Sequence, residues 1–177
     1  MTASRLASEK HLDWVIEACI LARAEVPELT LDICGEGGEH QRLAELIETR
    51  NASGYIHLLG QQEMNDLYQN YELYLSGSTS EGFGLSLMEA VGSGLAMIGF
   101  EVPYGNPSFI RNGKNGTLIP VSESMSEKER VNALAKVVVQ YFRTADRKAY
   151  SECSYEIASA YLTENVVQKW KNVIQAE

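Results

Sequence analysis

Glu81 and Glu89 are the residues whose types and spacing most plainly carry chemistry. They stand eight residues apart, with Gly82, Phe83 and Gly84 leading into the apolar run from Leu85 to Ala90. Eight residues is about two helical turns, so Glu89 points along the helix face whose start the glycines open. Backbone amides of Gly84, Leu85 and Ser86 are then the free donors at that N-terminus. Free amides and the helix dipole favour an anion, here a phosphate. Carboxylates do not bind phosphate; they suit hydroxyl groups, and a bidentate carboxylate fits a cis-diol. An acid at each end of an anion site is a shape suited to a sugar nucleotide.

The elements that must position these groups follow from periodicity. Leu12, Val15, Ile16, Cys19 and Ile20 recur at helical spacing, which predicts a helix over 11–26, ended before Pro27. Further helices are predicted at about 39–50, 63–69, 126–144, 147–160 and 163–176, the last capped by Thr163. Strands are predicted at 29–33, 55–59, 71–76, 95–100 and 117–120. Strands alternating with helices at these spacings predict an α/β fold, a Rossmann-like doubly wound parallel sheet flanked by helices. In such sheets a ligand binds beyond the C-terminal strand ends, at the switch point. Gly35 and Gly37 follow the 29–33 strand, where they either admit a nucleotide to the backbone or simply turn the chain.

The chain has 177 residues, enough for one domain with its own core. Its net charge of -9 argues against a nucleic-acid partner, which would want a basic face. Cys19, Cys34 and Cys153 are far apart and read as free thiols, two of them buried. His11, His40 and His57 have no metal spacing, and no metal site is assigned. No apolar run approaches 18 residues and no signal-peptide pattern opens the chain, so a soluble, cytoplasmic protein is expected.

The segment Glu81 to Glu89 resembles the E-x7-E signature of retaining glycosyltransferases of the family-4 (group 1) type, which have the GT-B fold. Ala3-Ser4-Arg5-Leu6 with Lys10, Ile33-Cys34-Gly35-Glu36-Gly37, and Asn112 to Pro120 resemble that family's other motifs, in family order. Ser78-Thr79-Ser80-Glu81 with Val102-Pro103-Tyr104-Gly105-Asn106 is most similar to the bacterial accessory-secretion enzymes that put N-acetylglucosamine on serine-rich adhesins. Teichoic-acid glycosyltransferases share much of this pattern.

The resemblance implies that residues 1–177 form a single nucleotide-sugar-binding domain, the C-terminal half of a GT-B fold, with a first strand cut short and the N-terminal acceptor domain absent. It implies transfer of N-acetylglucosamine from UDP-N-acetylglucosamine, with retention, to a protein Ser/Thr or a cell-wall polymer hydroxyl. Arg5 and Lys10 would neutralise the departing diphosphate in place of a metal, and Glu81 would sit by the donor sugar. Gly82, Phe83, Gly84, Leu85 and Ser86 would contact sugar and phosphate, and Glu89 the ribose. Gly35 and Leu59 would flank the nucleoside, Leu59 in a segment that holds the base through main-chain groups. The role of Asn106 is left open, because the family usually has a Gly-Gly pattern there. The implied partners are a UDP-sugar donor, the acceptor domain and a glycosyltransferase-like partner subunit; no further cofactor is implied. The chain alone is expected to bind donor weakly without turnover, its last helix lacking its usual contacts. The alternative is a non-catalytic glycosyltransferase-like subunit.

Overall fold

The computed structural model describes residues 1–175. Six strands appear among them, β1 (Thr2–Ala3), β2 (Leu31–Cys34), β3 (Ile56–Gly60), β4 (Leu73–Ser76), β5 (Ala96–Phe100) and β6 (Gly116–Ile119). All pair in parallel, in the orders β1-β2-β3 and β4-β5-β6. Met1 joins the two halves: its amine donates to Leu73 O at 2.8 Å and its carbonyl accepts from Leu75 N at 2.9 Å. The order across the sheet is therefore 3-2-1-4-5-6, with the switch point between β1 and β4.

The helices are α1 (Leu12–Arg23), α2 (His40–Thr49), α3 (Leu85–Gly92), α4 (Gly105–Phe109), α5 (Glu127–Thr144), α6 (Arg147–Ser159) and α7 (Thr163–Ile174). Side-chain alternation along the strands divides them between two faces. Leu31, Ile33, Leu73, Leu75, Ala96 and Ile98 pack with α1, α2 and α5. Cys34, Tyr74 and Met97 turn to the other face, with α3 and α6. The doubly wound expectation is thus met: each face of the sheet has its own apolar core.

Three sequence expectations are corrected. Residues 63–69 form turns ending in a 3-10 turn, Tyr68–Asn70, rather than a helix; Asn65 and Asp66 compete for backbone groups and favour turns there. Residues 105–109 form the unexpected helix α4, whose Pro107 falls in the first turn, where a missing N–H costs little. At α7 the cap is Leu162 and no side chain caps it; Thr163 is the first helical residue. Position 176 of the expected last helix lies outside the described residues. No α7 residue is buried, and Trp170, Val173 and Ile174 are exposed. Among the described residues no helix is long and apolar enough to cross a membrane.

Candidate functional site

A cavity of about 620 Å³ opens beyond the C-terminal ends of β1, β2 and β3. Arg5, Gly35, Leu85, Ser86 and Glu89, all singled out in the sequence, line it together with Tyr68. The strand-end loops are bonded to one another: Ser4 N donates to Cys34 O at 3.0 Å, and Gly35 N to Gly60 O at 2.7 Å. Gly35 has φ 133°, and a Cβ there would lie 1.9 Å from Ser4 O. Its missing side chain lets the β1 and β2 loops touch, which meets the turn reading at this position.

Gly84 caps α3 in the left-handed region, at φ 81°. No side chain among the described residues caps α3, so the free amides at its start are those of Gly84, Leu85, Ser86 and Leu87. Leu85 and Ser86 of that turn line the cavity. Glu89, about one turn into α3, accepts from Tyr68 Oη at 3.0 Å. Burial, then Tyr74 and Glu89, push the Tyr68 phenol up, so it stays a protonated donor at neutral pH. Tyr74 donates to Ala3 O at 2.7 Å and lies 3.0 Å from Ser86 Oγ, tying β1 to the first turn of α3.

Beside this cavity, Lys10 Nζ lies 2.6 Å from Glu81 Oε1. The pair is largely buried, at 15% and 13% side-chain exposure. Ser78 Oγ donates to the same oxygen at 2.8 Å, and Thr79 N bonds Glu9 O, which docks the loop after β4 on the turn carrying Lys10. The two cations expected at one phosphate are thus differently employed. Arg5, at the cavity edge, is 79% exposed and pairs with Glu9, 3.1 Å away. Lys10 is committed to Glu81.

The loop Gly82–Gly84 runs from Glu81 to α3. Phe83 turns its ring onto Phe109 and Tyr161, with centroids 5.3 and 5.7 Å away, so its side chain anchors the loop. Glu81 O accepts from Gly105 N at 3.1 Å, and a Cβ at Gly105 would lie 2.5 Å from that of Glu81. Asn106 is fully buried and bonds Phe100 O at 2.8 Å, which gives it a structural role under β5. Leu59 does not line the cavity; its carbonyl accepts from Gln62 at 2.6 Å, and Gln61 and Gln62 reach the cavity instead.

Tyr68, Tyr74 and Ser78 are not singled out as site residues by the sequence. Tyr68 and Tyr74 act through partners 21 and 71 residues away, and Ser78 bonds Glu81 three residues on, across a turn with no period. Among the described residues no three His, Cys, Asp or Glu gather as a metal site. Burial pushes the Cys19 thiol up to about 12, which makes it inert packing.

A doubly wound parallel sheet with its cavity at the switch point, an open helix N-terminus and a braced carboxylate defines a Rossmann-type ligand-binding domain. The chain belongs to the glycosyl transferases group 1 family, whose description matches residues 1–145. It is 56% identical over 174 residues to the UDP-N-acetylglucosamine–peptide N-acetylglucosaminyltransferase GtfA subunit of Limosilactobacillus reuteri subsp. suis, covering 98% of this chain and 34% of that protein. The crystal structure of the pneumococcal O-GlcNAc transferase GtfA in complex with UDP and GlcNAc superposes with TM-score 0.93 at 49% identity, covering 99% of this chain and 35% of that one. A GtfA/B complex matches with TM-score 0.93 at 45% identity, over 99% of this chain and 35% of its own. The chain thus spans about a third of the length of these relatives.

Proposed function

We propose that this chain is the donor-binding part of a retaining glycosyltransferase that moves N-acetylglucosamine from UDP-N-acetylglucosamine to protein hydroxyls. The observation that carries the reading is the cavity in which Arg5, the α3 N-terminus and the Tyr68-braced Glu89 converge. In it Glu89 accepts from both ribose hydroxyls, and Tyr68 holds the carboxylate in place. The α3 amides and Arg5 take the diphosphate and stabilise its charge as it leaves. A nucleotide sugar is linear, so the hexose falls on the side of the diphosphate away from Glu89. That is where Glu81 and the Gly82–Gly84 loop lie. Glu81, held at Oε1 by Lys10 and Ser78, accepts sugar hydroxyls there.

The relatives named above support the donor and a protein acceptor, and the GtfA/B complex supports a glycosyltransferase-like partner subunit. The intact Arg5, Lys10, Glu81 and Glu89 set favours a catalytic member over a non-catalytic subunit. The acceptor site belongs to a further domain in this reading, the setting is cytoplasmic, and the chain by itself binds donor without turnover.

Calorimetric titration with UDP, UDP-N-acetylglucosamine, UDP-glucose and GDP-mannose tests the proposal. Selective binding of the UDP compounds is expected, weakened at least tenfold, about 1.4 kcal/mol, in Glu89→Ala. Equal binding of GDP-mannose, or a Glu89→Ala variant of unchanged affinity, would sink it.

A further inference from the structure

Tyr104, in the turn between β5 and α4, is mounted against the interest of the fold. Its backbone sits at φ 73°, ψ -97°. Among the described residues, His11 and Asn51 are the other non-glycine residues at positive φ. His11 rests in the left-handed well at φ 42°, ψ 47°, and Asn is a type that tolerates it. Tyr104 lies outside that well, where a Cβ is crowded. Its ring is 76% exposed, so packing does not offset the strain. Strain held at a surface residue is a pointer to function.

The turn is pinned to the site. Tyr104 and Glu81 form an isolated parallel bridge, and the next amide, Gly105, bonds the Glu81 carbonyl. Phe83, on the loop that leaves Glu81, and Leu85, the first residue of α3, are also large apolar residues left exposed. A pyranose has hydroxyls at its rim and C–H groups on its faces. Carboxylate and amides serve the rim; an aromatic ring serves a face, gaining apolar contact at little cost in side-chain freedom.

We propose that Tyr104 is a specificity-determining contact to the donor's hexose, an aromatic platform held beside Glu81 that distinguishes a sugar-bearing nucleotide from the bare nucleotide. This rests on the reading of the cavity as a nucleotide-sugar site.

The test compares the chain with Tyr104→Gly and Tyr104→Phe by thermal unfolding and by titration with UDP and UDP-N-acetylglucosamine. Glycine accepts this backbone freely, so Tyr104→Gly is expected to raise Tm by about 2–4 °C. It is expected to leave UDP affinity unchanged and to weaken UDP-N-acetylglucosamine about threefold to tenfold. Tyr104→Phe keeps both affinities. The inference is overturned if Tyr104→Gly affects the two nucleotides alike, leaves both unchanged, or lowers Tm. If the unaltered chain binds neither nucleotide, the nucleotide-sugar reading falls as well, which separates the two failures.

Discussion

At the scale of single residues, the two basic groups of the site have opposite physical standing. Lys10 faces a largely buried carboxylate 2.6 Å away, whereas Arg5 stands in water. Removing one partner of a buried pair strands the other charge and costs about 3 kcal/mol. Lys10→Ala should therefore lower Tm by about 6–12 °C. Arg5→Ala should change stability by no more than about 0.5 kcal/mol, its loss appearing only in diphosphate binding. Denaturant unfolding of both variants checks this, and equal stability losses would show that the burial of Lys10 is not what holds Glu81. The motif residues Glu81 and Glu89 were legible from spacing alone. Their partners Ser78 and Tyr68 were not, since a hydroxyl that braces a carboxylate across a turn or a loop leaves no periodic trace.

At the scale of elements, α3 and α5 begin in different ways, and the difference follows from their tasks. α5 carries a capping box: Ser126 accepts from Glu129 N, and Glu129 accepts from Ser126 N at 2.8 Å. α3 has a bare glycine cap, with no side chain among the described residues on its first-turn amides. Ser126→Ala should lower Tm by about 2–4 °C at neutral pH. Hydrogen bonds from the Ser126 side chain and backbone hold the Glu129 carboxyl below its ordinary range. A carboxyl with a lowered folded-state pKa stabilises above its unfolded value and loses that contribution as pH falls through the folded one. The Ser126→Ala penalty should therefore shrink in acid. Melting curves at neutral pH and below the carboxylate range would show it; a penalty that grows in acid would contradict the sign. Elements with a strong period or a local cap, such as α5, were readable in advance. The α4 helix was not, because five residues containing a proline hold no period, and its place under Glu81 is set by contacts from β5 and the site loop.

For the whole molecule, the two cores on either side of the sheet carry the fold, and α7 adds little to either. It contributes no buried residue, and Lys169 reaches back only to Ala160 O, 3.3 Å away, and the Tyr161 ring. Ending the chain at Leu162 should shift Tm by less than about 3 °C. Circular-dichroism melts of the shortened chain measure this, and a large drop would assign α7 a role in the fold that its exposure does not suggest.

By itself the sequence determined the alternation of strands and helices, the parallel sheet and the spacing of the carboxylates Glu81 and Glu89 about the start of α3. These depend on near-neighbour spacing along the chain, which periodicity reports directly. Tertiary structure alone decided the rest. Pairing through Met1 brings β1 beside β4 and so creates the switch point. Folding sends Lys10 to Glu81 and leaves Arg5 to the cavity, although as cations they read alike. It also sets Tyr68 against Glu89 and holds Tyr104 in a strained turn bridged to Glu81. Those outcomes depend on which groups meet across tens of residues, and on how deeply each is buried when they do. Neither quantity is written in residue type or local spacing.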